Sequence, residues 1–217
     1  MKGIVGLSKR NWMMMLTVAG LGIGYLLLLG YLLWGNVLGL RAAATTASPT
    51  PTYVAIDLWG AYERACTAAR GQAADAQLVS ASTRWQGVGK EALLNGATGW
   101  TFVFYSAAGG DVFDVVVEAG VGRVVNQAQV WVAPKTIAEG KWQAGPRDVL
   151  LAFLAYGGQA FLDEHPQALV DLHLAEGDEG GAAWAIVALD PEERGLLALV
   201  VDAETMQVLL SNPDSPR

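Results

Sequence analysis

Leu196-Leu197-Ala198-Leu199-Val200-Val201-Asp202-Ala203-Glu204-Thr205-Met206-Gln207-Val208-Leu209 reads as a strand, a turn and a short returning strand. Aliphatic and β-branched residues fill both arms, and the polar residues between them supply turn chemistry. Eighty-four residues earlier the figure stands already: Val116-Val117-Glu118-Ala119, a turn, then Val124-Val125. Trp100 recurs at the same offset as Trp184, and Gln72-Ala73 recurs as Gln159-Ala160 at offset 87, so the loops between have changed length. A period this long marks a duplicated domain, not a solenoid of short repeats.

Outward from the hairpins, each copy reads as one helix followed by three strands and a short continuation. In the first, Trp59, Tyr62, Cys66 and Ala69 recur at three- and four-residue steps, predicting a helix over 57–70. In the second, Val149, Leu150, Phe153, Leu154, Ala160 and Phe161 do the same, with Pro146 and Asp148 suited to the first turn and Pro166 as the stop. Gly157-Gly158 interrupts that pattern and predicts a kink or a split. Strands are expected at 78–85, 100–106 and 112–118, then at 169–175, 183–189 and 196–202, with continuations at 123–125 and 207–210. Consecutive strands with short connections pair antiparallel, and a helix covers one face. The expected class is α+β: two tandem units, 57–133 and 142–211, each a helix on its own three- to four-stranded antiparallel sheet.

The second copy resembles a PepSY domain. The likeness rests on an apolar helix ending near His165-Pro166, the Trp-centred strand Ala183-Trp184-Ala185-Ile186-Val187, and the closing hairpin from Val200 to Leu209. It covers about residues 147–210; the first copy, about 57–125, shares the layout with weaker motifs. Where such hairpins usually carry glycine this chain has Met206, while the first copy keeps Gly122 at that place. Glycine there suggests a backbone with φ > 0, which costs a residue with a Cβ roughly 1–2 kcal/mol. Either the turn has changed type or it is strained. The resemblance implies an extracytoplasmic module that inhibits or regulates peptidases or mediates interactions, and it brings no catalytic residue.

Ahead of both copies, no charged residue stands between Arg10 and Arg41. A bilayer core needs about 20 apolar helical residues. Trp12 and Trp34 lie far enough apart, roughly 33 Å along a helix, to sit at the two headgroup boundaries. A cleaved signal, with Ala42-Ala43-Ala44 as its site, is the competing reading, but signal cores are only about 7–15 residues long. The run 11–40 is therefore expected to be an uncleaved signal anchor. Lys2, Lys9 and Arg10 precede it and only Arg41 closely follows, which puts residues 1–10 in the cytoplasm and residues 41–217 outside. Gly20/Gly24 and Gly35/Gly39 have the spacing that lets helices approach closely, so the span offers a route to an oligomer. Residues 41–56 form a Ser/Thr/Pro linker that holds the folded part off the bilayer.

Charge is unevenly spread. Residues 41–141 carry eight basic and eight acidic side chains, whereas 142–217 carry three basic and thirteen acidic, a net of −10. Nucleic acid is excluded as a partner for want of a basic footprint, and flat adsorption of the second half on anionic lipid is disfavoured. A field of this sign also favours basic partners. The lone Cys66 excludes an intrachain disulfide and is expected to be a small buried hydrophobe.

Chemistry is sparse. His165 falls at the expected end of the second helix, where a cation meets the negative end of the dipole. His173 shares a strand face with Asp171, toward solvent. Pairing them with Asp163 or Glu164 in a metal or acid–base site matches no zinc spacing. Glu176-Gly177-Asp178-Glu179-Gly180-Gly181 lacks the alternating ligands of a calcium loop and reads as a hairpin connection; Asp190-Pro191-Glu192-Glu193 reads as a turn. No Gly-x-Ser-x-Gly elbow is present, and neither Gly-rich stretch has a phosphate-loop context. Trp100 and Trp184 are expected in the core. Trp131 and Trp142 flank the connection between copies, either packing the units together or, if exposed, marking a binding surface. The expected protein has no enzymatic activity, cofactor or metal. It is a membrane-anchored extracytoplasmic binding or regulatory protein whose partner is a protein or peptide, a peptidase by resemblance. The alternative is a structural or sensory ectodomain of a cell-envelope assembly.

Overall fold

Asp57 starts the first helix, α1 (Leu58–Arg70): its carboxylate accepts the Gly60 amide at 3.1 Å, satisfying one of the unpaired donors of a helix start. The computed structural model describes residues 55–177, 180–192 and 195–212. The anchor 11–40, with Trp12, Trp34 and the glycine pairs, lies outside them, as does nearly all of the linker. Among the described residues no helix is long and apolar enough to cross a membrane. The first half continues through β1 (Gln77–Gln86), a short α2 (Lys90–Leu94), β2 (Gly99–Ser106), β3 (Asp111–Glu118) and β4 (Val121–Gln129). The second runs through α3 (Pro146–Phe153), a π turn (Leu154–Gly158), α4 (Gln159–Glu164), then β5 (Leu169–Glu176), β6 (Ala182–Leu189), β7 (Leu196–Asp202) and β8 (Val208–Asn212). Gly157, at φ 105°, splits the second helix where the glycine pair predicts a break.

The class is α+β and every pairing is antiparallel, but the expectation of two separate sheets is corrected. All eight strands form one open sheet in the order β4-β3-β2-β1-β5-β6-β7-β8. Ser80 to Gln86 of β1 pair with Ala175 back to Leu169 of β5. Each half alone would leave its first strand as an edge with a row of unpaired amides and carbonyls; pairing the two removes both edges. The second half mirrors the strand order of the first about this seam. The short continuations are full strands, and their bulged residues, Val125 and Leu209, keep the 84-residue offset.

The helices pack on one face. α1 lies over β2, β3 and β4, and α3 with the π turn lies over β6 and β7. Between them Phe102, Phe104, Phe113, Trp184, Ile186 and Leu199 are fully buried. Most of each expected stripe is buried, and the departures are Trp59 in the first helix and Ala160 in the second. In α1 the buried stripe is Leu58, Ala61, Ala65, Cys66 and Ala69, while Trp59 and Tyr62 sit at its margin. In the second helix the π turn inserts a residue, so Phe161 and Leu162 face the core and Ala160 faces solvent.

The expected correspondence of Gly122 with Met206 is corrected in its physics. Met206 does adopt φ 61°, but in the first hairpin the positive φ values belong to Ala119 (48°) and Gly120 (77°), a two-residue turn between Glu118 and Val121. Gly122 lies within β4, where a Cβ would come 2.7 Å from the Arg64 carbonyl of α1. It is a glycine for close approach, not for turn conformation.

Candidate functional site: the bare face of the sheet

Pairing registers show which side chains stand on the face away from the helices. On β5, β6 and β7, Leu169, Leu189 and Leu196 stand directly opposite one another in one row. The next row holds Asp171, Val187 and Ala198. After it come His173, Ala185, Val200 and, from β8, Leu210, then Ala175, Ala183 and Asp202. Leu189, Leu196 and Leu210 are 38%, 42% and 59% exposed. No described element covers them. The corresponding face of the first half is mixed: Ser80, Ser82 and Arg84 on β1, then Thr101, Val103 and Tyr105 opposite Val116, Asp114 and Val112. Arg84 of β1 and Asp171 of β5 form a bidentate ion pair across the seam, at 2.5 and 3.0 Å.

This contrast has a sequence signature. β1, Gln77-Leu78-Val79-Ser80-Ala81-Ser82-Thr83-Arg84-Trp85-Gln86, is polar on its open side, as a strand with one face in water should be. β6, Ala182-Ala183-Trp184-Ala185-Ile186-Val187-Ala188-Leu189, is apolar throughout, and β7 is apolar from Leu196 to Val201. Continuous apolar runs belong to strands covered on both faces. Two acidic side chains border the apolar stretch on this face: Asp171, paired with Arg84, on the β5 side, and Asp202, opposite Ala183, where β7 enters its turn.

The histidines do not converge. His165 caps α4, with its ring 4.4 Å from that of Phe161 and its Nδ1 2.9 Å from Asp190 Oδ2. Asp190 also accepts the Glu192 amide, so the pair fastens the helix end to the β6–β7 turn. His173 stands on the open face between Ser82 and Ala185. Crowding by these strands lowers its pKa, against an opposing pull from Asp171. Among the described residues no group of His, Cys, Asp or Glu could hold a metal ion.

A cavity of about 440 Å³ lies between the end of α1, the start of β1 and residues 136–139. Arg70 and Glu139 pair at 2.8 Å among its lining residues. Burial raises the pKa of both the Tyr62 phenol beside it and the buried Cys66 thiol, so neither is poised as a nucleophile.

The tryptophans divide. Trp100 and Trp184 are in the core, as expected. Trp142 is buried on α1, stacked on Trp59 at 4.5 Å and edge-on to Tyr62, so it ties the connection down; Trp131 is 103% exposed, beside Val132. Compared with protein-family models, curated proteins and solved structures, the chain matches none.

Proposed function

We propose that this is a membrane-anchored, extracytoplasmic binding or regulatory protein, with two PepSY-like units fused through one sheet and no enzymatic activity of its own. The observation that carries the reading is the apolar open face of β6 and β7, continued by Leu169 and Leu210, on strands whose composition suits burial on both sides and which the described elements cover on only one. The uncharged run 11–40 and the basic residues before it support the anchor and its orientation. The PepSY resemblance makes a peptidase the first partner class to test.

Protease added to intact spheroplasts should digest residues 41–217; a protected ectodomain overturns the compartment. Isolation of the full chain from its native membrane should bring down a protein whose enzymatic rate changes when the chain is removed. A companion with no rate to change favours the structural alternative. Turnover of peptides or glycans by the purified chain, abolished by point substitution, refutes the non-enzymatic reading.

A further inference from the structure

We infer that the bare face of β5–β8 is a docking surface for a segment of another protein that has an apolar face flanked by lysine or arginine side chains. The inference rests on the binding reading above and names the surface and the chemistry of its occupant.

Size comes first. The open side of β6 and β7, with Leu169 and Leu210 at its margins, spans about three strand widths of about 4.8 Å and about 20 Å of strand length, an apolar patch of roughly 300 Å² bordered by Asp171, His173 and Asp202. That is the size at which an exposed apolar patch on a single chain is often functional. Leu169, Leu189 and Leu196 crown one end, and Val187, Val200 and Leu210 continue it. Large side chains thus flank the low floor made by Ala183, Ala185 and Ala198, the relief an apolar stripe can key into.

Charge selects among occupants. A second copy laid patch on patch would bring two halves of net −10 together. Shifted to avoid that, the patch would meet the polar strand at the seam, with Ser80, Ser82 and Arg84, and Thr101 beside it. An anionic bilayer is repelled by the same field. A basic segment is attracted, and Asp171 at the β5 edge and Asp202 with Glu204 at the β7–β8 turn lie where its flanking cations would fall.

The test places a photoreactive benzophenone residue in the full chain, in its own membrane, at Val187 on the patch, at Trp131 in the exposed connection, or at Glu63 on α1. The expected result is an adduct from position 187, mapped by mass spectrometry to an apolar segment bordered by lysine or arginine. That adduct should be lost in the half-exposed double variant Leu189→Ser, Leu196→Ser and absent from position 63. An adduct to an acidic or uncharged segment, to lipid, or to another copy of this chain overturns the inference. So does an adduct from 187 that survives the leucine substitutions. Adducts from 131 or 63 alone sink the docking surface and leave the binding reading standing; no adduct from any position sinks both.

Discussion

Trp100 and Trp184, 84 residues apart in the chain, meet edge to face with ring centroids 6.5 Å apart beneath the two helices. Each indole N–H donates to the carbonyl of a residue just before a helix: Trp100 to Ile56 at 3.3 Å and Trp184 to Ala144 at 3.0 Å. The duplication is thus written into hydrogen bonds as well as into strand order. Trp184→Phe should leave the Ala144 carbonyl buried without its donor and cost about 1–3 kcal/mol, cavity aside. Trp100→Phe, which breaks a longer bond, should cost less. Urea melts of the two variants check the order, and equal losses would mean ring volume, not the N–H, sets the cost.

Met206 combines a left-handed backbone, φ 61°, with a side chain packed partly against the core. Truncation therefore mixes lost packing with relieved strain. Comparing two truncations separates them. Met206→Ala loses the packing and keeps the strain, whereas Met206→Gly loses both. The glycine variant should be the more stable by about 1 kcal/mol, the Cβ penalty less the extra entropy of glycine. Alanine equal to or better than glycine in denaturant melts shows that the turn tolerates a Cβ without strain.

Gly122 shows what close packing of α1 on the sheet costs in sequence freedom. Its missing Cβ would stand 2.7 Å from the Arg64 carbonyl and 3.4 Å from the Ala65 amide, both backbone atoms that move only with the helix. Gly122→Ala should destabilise by about 1–3 kcal/mol through helix displacement. Gly89→Ala, where a Cβ meets nothing within 4 Å, serves as the control and should be nearly neutral. Thermal melts of the pair decide it, and a neutral Gly122→Ala would place α1 farther from β4.

Strand positions were legible because each strand's composition is local: 196–202 matches in full, and the other main strands differ at their ends by one residue. Their neighbours were not. Nothing in β1 or β5 alone says that Arg84 will face Asp171, because antiparallel pairing between strands so far apart leaves no local mark. The first helix's stripe holds at Cys66 and Ala69 and partly at Tyr62, which packs on Phe102 and Phe104; Trp59 departs from it because its partner is Trp142 of the connection, while Leu58, Ala61 and Ala65 complete the core contact. The candidate site is legible in the same local way. Unbroken apolar runs at 183–189 and 196–201 signal cover on both faces, and one helix layer supplies only one.

Asp202 closes the last hairpin by accepting the Glu204 amide at 3.0 Å and the Thr205 amide and hydroxyl at 2.7 and 2.8 Å through one oxygen. These bonds, those from Thr205 first, hold its pKa below the ordinary carboxylate value. Asp75 is lowered too, by the Ser106 hydroxyl at 2.6 Å and the Ala108 amide at 2.9 Å. A carboxylate whose folded pKa lies below its unfolded value, about 3.9, stabilises the fold fully above that value. The contribution is lost as pH falls through the folded pKa, because the folded state must then take up a proton that the unfolded chain already holds. Asp202→Asn removes the titration and keeps the side chain's shape. The stability gap between wild type and this variant should be constant above about pH 5 and shrink steadily below about pH 4. Asp75→Asn should behave the same way, and the double variant should show the flattest acid limb. Urea melts across that range give the answer: a gap that holds its size into acid shows that neither carboxylate is held below its ordinary value, and a gap that widens reverses the sign.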